Sequence, residues 1–247
     1  MAFLSPDNVR YDNGVKICEK IIPDSAVWNR DVKEGGYTYR KGTTYKANRP
    51  LSAIKGVTIH NTGRIKIPNG TTMAEQYTRA TYPNCNMGSV RVHYYVDENE
   101  AWQNLDEGEV GWHAADGNYG PGNSTTIAIE IIMDGTDAEY NRIAEDNGAR
   151  LCAAILKRHG LDETAVYQHH DWYARKDCPA YIRPHWSAFL ALVRQYLNDD
   201  AQAPSDYDKL VAELEDIKEK YRTEHASAQA LRGRILAAIE QYDTVAK

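Results

Sequence analysis

Thr126-Ile127-Ala128-Ile129-Glu130-Ile131-Ile132 decides the architecture, because every position except Glu130 is apolar or β-branched. A run with no solvent-facing alternation reads as a central strand covered on both sides. A carboxylate in its middle is costly unless it is paired or used. For Glu130 a structural salt bridge and a chemical role are both open.

Outward from this strand, Gly56-Val57-Thr58-Ile59-His60 reads as a second buried strand ending on a polar residue, and Thr72-Met73-Ala74-Glu75 fits a capping box that opens a short helix. Arg91-Val92-His93-Tyr94-Tyr95-Val96-Asp97 and Ala101-Trp102-Gln103-Asn104-Leu105 predict a hairpin turned at residues 97–100. Between Asp137 and His159 the apolar residues Tyr140, Ile143, Ala144, Leu151, Ile155 and Leu156 mark an amphipathic helix stopped by Gly160. Thr164-Ala165-Val166-Tyr167-Gln168 is a short strand delivering His169, and residues 186–197 form another amphipathic helix. Strands alternating with helices in this way predict an α/β domain, a mixed central β-sheet flanked by helices.

That domain spans residues 50–197. Residues 1–49, rich in Asn, Asp, Gly, Lys and Tyr, are expected to be an ordered, loop-rich lead-in packed on it. Residues 198–206 carry no apolar face and include Pro204, a linker composition. Over residues 207–247, Tyr207, Leu214, Tyr221, Ala228, Ile235 and Tyr242 share one heptad position, and Leu210, Ile217, Glu224, Leu231, Ala238 and Val245 the other. A C-terminal α-helical, coiled-coil-like appendage is expected, broken at Glu224. Its single apolar seam must self-associate, fold back or dock, so a homo-oligomer formed through this helix is one outcome.

The chain has 247 residues and a formal net charge of −6, which argues against a nucleic-acid partner, since phosphate binding relies on clustered Lys and Arg. Cys18, Cys85, Cys152 and Cys178 are too scattered for a secreted disulfide framework, and reduced thiols are expected. The start, Met1-Ala2-Phe3-Leu4-Ser5-Pro6-Asp7, lacks the cationic and apolar regions of a signal peptide, and no segment has the length and apolarity for membrane insertion. The expected place of synthesis is the cytoplasm.

Chemistry concentrates in Tyr167-Gln168-His169-His170-Asp171-Trp172-Tyr173-Ala174-Arg175-Lys176-Asp177-Cys178-Pro179. Catalytic zinc keeps three protein ligands and leaves a fourth position for water, and His60, His169 and Cys178 form such a set. His60 and His169 each end an apolar strand, which weakens the reading of ordinary hydrogen-bonded imidazoles. Beside Lys176, Cys178 is expected to lean towards thiolate, which suits a metal ligand and a nucleophile paired with His169 equally. Lys176, otherwise a solvated loop lysine, stands two residues from Cys178 and would hold an ammonium near an oxygen that the metal polarises.

These residues also carry a resemblance. Gly56-Val57-Thr58-Ile59-His60-Asn61-Thr62, Val92-His93-Tyr94-Tyr95-Val96-Asp97, Val110-Gly111-Trp112-His113-Ala114, Ile127-Ala128-Ile129-Glu130-Ile131 and His169 through Pro179 resemble, in order, the blocks of zinc-dependent N-acetylmuramoyl-L-alanine amidases of the amidase-2 type, related to peptidoglycan recognition proteins and common among bacteriophage endolysins. The resemblance implies one Zn2+ per chain on His60, His169 and Cys178, Glu130 as acid/base, Lys176 at the oxyanion and His113 as a substrate-contacting histidine. Some members carry a catalytic tyrosine directly before the hairpin histidine; here the residue is Val92, so proton transfer falls to Glu130. His169 rather than His170 matches the ligand, being followed by any residue and then an acid.

The implied reaction is hydrolysis of the amide between N-acetylmuramic acid and L-alanine in bacterial peptidoglycan. The implied setting is a phage or prophage endolysin that acts on the wall after a holin-like partner opens the membrane, its C-terminal helix serving oligomerisation or wall binding. A non-catalytic peptidoglycan-binding module on the same fold, a cysteine peptidase using Cys178 and His169, and a cell-envelope structural protein are the rivals.

Overall fold

A computed structural model of the chain describes residues 4–34, 37–65, 71–82, 88–199 and 221. The chain divides into two units, Met1–Asp200 and Ala201–Lys247. The fold and the site below belong to the first. The heptad pattern of residues 207–247, apart from Tyr221, and Cys85 lie outside the described residues.

In chain order the strands are β1 (Asn8–Asp12), β2 (Val15–Glu19), β3 (Val32–Glu34), β4 (Tyr37–Tyr39), β5 (Gly56–Gly63), β6 (Tyr94–Val96), β7 (Ala101–Gln103), β8 (Thr126–Met133) and β9 (Val166–Gln168). The helices are α1 (Met73–Thr81), α2 (Pro121–Thr125), α3 (Ala138–Arg158), α4 (His169–Trp172) and α5 (Trp186–Asn198). Seven strands form one mixed sheet in the order β1-β2-β7-β6-β8-β5-β9, while β3 and β4 pair separately. β8 and β5 lie parallel at its heart, with His60 opposite Glu130.

Alternation divides the two central strands. Val57, Ile59, Ile127, Ile129 and Ile131, all with no exposed surface, share one face. There α3 approaches so closely that a Cβ on Gly148 would meet Ile131 Cδ1 at 2.4 Å. Thr58, His60, Thr126 and Glu130 share the other face, where the ring of Tyr77 from α1 stacks on Tyr95 at 5.2 Å. α3 is opened by Asp137, whose carboxylate accepts from Tyr140 N, and is followed by Gly160 at φ +64°. Thr72 caps α1 through Glu75 N, but Glu75 Oε1 accepts from Leu4 N and so binds the amino-terminal segment.

The main departure from the sequence expectation lies in residues 8–19. They do not form loop but an antiparallel hairpin, and β2 joins the central sheet parallel to β7. Asn13 and Gly14 make its turn with φ of 47° and 81°, the conformation that Asn-Gly adopts readily. Val15 and Ile17 then point inward, at 2% and 0% exposure. Further along, Ile22, Trp28, Tyr45 and Leu105 form a small second core beneath residues 20–46. Among the described residues no helix is long and apolar enough to cross a membrane.

Candidate metal centre

Strand register brings the site residues together. β5 carries His60 beside Glu130 of β8, and on its other edge pairs Ile59 with Gln168 of β9. The next residue, His169, opens α4, whose first turn is fixed by Gln168 N donating to Asp171 Oδ2 at 2.7 Å. His170 points elsewhere: its backbone N–H donates to Cys178 O at 2.9 Å, and its Nδ1 lies 3.1 Å from Lys176 O. The first histidine of the pair faces the cluster, and the second ties down the loop that bears Lys176 and Cys178. Asn61 holds the same loop from below, accepting from Tyr181 N at 3.1 Å and donating to Ile131 O at 3.3 Å.

His60 Nδ1 lies 3.0 Å from His169 Nδ1 and 3.9 Å from Cys178 Sγ. The three residues offer ligand atoms all within 4.8 Å of one another, and all three are buried. Tetrahedral zinc at its usual bond lengths separates two nitrogens by about 3.3 Å and a nitrogen from a sulfur by about 3.6 Å. The donor set therefore fits such an ion in kind and spacing. Glu130 Oε1 stands 4.0 Å from His60 Nδ1, and its Oε2 is buried with no hydrogen-bond partner. An orphaned carboxylate oxygen beside two imidazoles and a thiol is a cost that a cation or a substrate proton would relieve.

Burial sets the proton affinities. It lowers His60 well below the ordinary histidine value, with His113, His169 and Lys176 adding to the effect, and it brings His169 down to about 4 with help from Lys176. Neutral imidazoles are what a metal requires. Burial also raises Glu130 to about 7, against the pull of Lys176. For Cys178 the expected lean towards thiolate is reversed: burial and the neighbouring Glu130 push the thiol up to about 11, and Lys176 does not outweigh them. A thiolate–imidazolium pair for a cysteine peptidase is thus opposed from both sides, whereas a soft cation can displace the thiol proton directly.

Lys176 is exposed on the loop, close enough for its charge to act on Glu130, His60, His169 and Cys178. His113 is buried at 5% exposure, with its Nδ1 3.1 Å from His60 Nε2. Three supporting residues escaped sequence reasoning: Asn61, His170 as a loop tie, and Asn123, whose Oδ1 accepts from both His113 N and Ala114 N. Only their proximity in the fold reveals them.

The sequence profile described as N-acetylmuramoyl-L-alanine amidase, Amidase_2, matches residues 50–181, more than half of the chain. N-acetylmuramoyl-L-alanine amidase CwlH of Bacillus subtilis (strain 168) is 32% identical over 145 residues, which cover 58% of this chain and 55% of the relative. The catalytic domain of XlyA, a Bacillus subtilis amidase, superposes with a TM-score of 0.56 at 27% identity, over 72% of this chain and 99% of that one. A mutant endolysin from Bacillus subtilis gives 0.53 at 28% identity, over 72% and 99%. The chain spans about half the length of the curated relatives it matches. On the profile match, with the fold and the His60–His169–Cys178 cluster in agreement, the chain belongs to the Amidase_2 family of N-acetylmuramoyl-L-alanine amidases.

Proposed function

We propose that this chain is a zinc-dependent peptidoglycan hydrolase that cleaves the amide between the lactyl group of N-acetylmuramic acid and L-alanine. The observation that carries the reading is the convergence of His60, His169 and Cys178 beside an unpaired, buried carboxylate oxygen of Glu130. Zinc, when bound by these three residues, supplies Lewis acidity, polarising a carbonyl and lowering the pKa of water to about 7. Glu130, poised near neutrality by burial, takes the proton of the attacking water on a carboxylate oxygen and passes it to the leaving amine. Lys176 places its ammonium where negative charge grows on the carbonyl oxygen. His60 and His169 stay neutral and do not compete for the proton that Glu130 moves.

Likeness to the endolysin structure supports an endolysin role, with bacterial peptidoglycan as substrate and a holin-like partner providing access to it. The heptad stripe of residues 207–247 supports a helical appendage that pairs copies of the chain or adds affinity for the wall.

The test is mass spectrometry of purified cell walls digested with the full chain, with Cys178→Ser as control. New free L-alanine amino termini, lost on adding a chelator and restored by zinc, are expected. Fragments without such ends, or digestion that ignores the chelator but stops with a thiol alkylator, would overturn the assignment.

A further inference from the structure

His60 has one proton and two neighbours that can share it. Its Nδ1 faces His169 Nδ1 at 3.0 Å, and its Nε2 faces His113 Nδ1 at 3.1 Å. A neutral imidazole protonates one nitrogen only, and the hydrogen bond made by the other settles which. With the proton on Nδ1, His60 donates to His169 and both metal-facing lone pairs are lost. With the proton on Nε2, both Nδ1 atoms are free to bind a cation.

We propose that His113 is a positioning residue that selects the second arrangement, accepting the Nε2 proton of His60 and thereby turning Nδ1 of His60 into a ligand. This inference rests on the zinc amidase reading. It also replaces substrate contact as the role of His113, whose ring is turned inward rather than displayed.

The surroundings hold His113 in place for this task. Asn123 Oδ1 accepts from the backbone N–H groups of His113 and Ala114 at 2.7 and 2.9 Å, and Asn123 Nδ2 donates to Gly117 O at 3.0 Å. Gly111 leaves room for the ring: a Cβ there would lie 2.9 Å from His113 Cδ2 and 3.3 Å from His93 Cε1. His93, the neighbouring buried histidine, cannot substitute. Its Nδ1 accepts from Ala128 N at 3.0 Å and its Nε2 donates to Glu109 O at 2.9 Å, so both nitrogens are committed to backbone. Ligating histidines commonly have their other nitrogen fixed by such a partner, which sets both tautomer and ring orientation.

The experiment compares the full chain with His113→Phe, which keeps a ring but no acceptor, and His113→Asn, which keeps an acceptor near the Nδ1 position. Zinc affinity is measured by competition with a chromophoric chelator, and KM for a soluble wall fragment is measured at saturating zinc. His113→Phe is expected to weaken zinc binding by roughly 10–100-fold, with His113→Asn recovering most of the loss and KM unchanged in both. Unaltered zinc affinity in His113→Phe, above all with a raised KM, would overturn the proposal in favour of a substrate contact. Should His113→Phe fail to fold, His113→Ala takes its place against His113→Asn under the same criterion. A parent chain that binds no zinc would remove the amidase reading and this inference together, whereas equal zinc binding by the parent and all variants removes only the role of His113.

Discussion

Two glutamates of nearly equal exposure behave in opposite ways. The side chain of Glu107 is 15% exposed and that of Glu130 is 12% exposed. Glu107 accepts from Tyr94 Oη at 2.8 Å and from Arg158 Nη2 at 2.7 Å, and His159 Nε2 lies 2.7 Å away. Burial raises its proton affinity, but Arg158, Tyr94 and His159 together outweigh this and bring it down to about 2. Glu130 is similarly shielded from solvent and lacks such partners, and burial, against the pull of Lys176, raises it to about 7. Pairing, added to a difference in depth, separates a carboxylate that braces the carboxyl end of α3 against the sheet from one held ready to exchange a proton.

The sharpest way to break this contrast is to neutralise each acid in turn. Glu130→Gln is expected to lower kcat by about 10²- to 10⁴-fold, the usual contribution of a positioned acid/base, with zinc content and melting behaviour preserved. Steady-state assays beside metal analysis check this, and a variant that retains full turnover ends the acid/base role. Next in size, Lys176→Ala should reduce kcat by about 10²- to 10³-fold while KM stays close to that of the parent, because the ammonium acts on charge that appears only in the transition state.

Glu107→Gln should do the reverse of Glu130→Gln. Losing charge-assisted hydrogen bonds to Arg158 and His159 is expected to remove roughly 2 kcal/mol of stability, read from urea unfolding, with turnover unchanged. The smallest effect is also the most discriminating, and it uses metal-stripped protein across pH. The lowered pKa of Glu107 means that its contribution is fully present above its ordinary value of 4.5 and is lost as pH falls towards about 2. Raised from 4.5 to about 7, Glu130 makes the fold hold more protons than the unfolded chain in that interval, so its contribution falls as pH rises through it. Glu107→Gln should therefore flatten the acid limb of stability, and Glu130→Gln the decline towards neutrality. Indistinguishable pH profiles for the two variants would show that pairing does not divide them.

Much of this could be read from sequence because the relevant signals are local. The apolar run broken by Glu130, the amphipathic helix that begins after Asp137, its stop at Gly160 and the strand that delivers His169 each follow from side-chain pattern over a few residues. The hairpin of residues 8–19 was equally local, with Asn13-Gly14 as its signal, yet the polar composition around it masked the alternation of Val15 and Ile17. The thiol of Cys178 went the other way: Lys176, near in sequence, promised a thiolate, but the burial and the Glu130 neighbour that raise it come from distant segments.

By itself the order of residues determined the strand and helix pattern and the anomalous acid within an apolar run, since periodicity and capping act between near neighbours, although β5 runs on to Gly63 and leaves His60 inside the strand rather than at its end. Only the tertiary structure decided that His170 turns away to tie down the loop of Lys176 and Cys178, that His60 has a buried imidazole behind it, and that an oxygen of Glu130 stands unpaired while Glu107 is paired. Those outcomes depend on which strands lie side by side, in what register and how far from water. Hydrogen-bond partners and desolvation are properties of the assembled fold, created by contacts between segments a hundred residues apart.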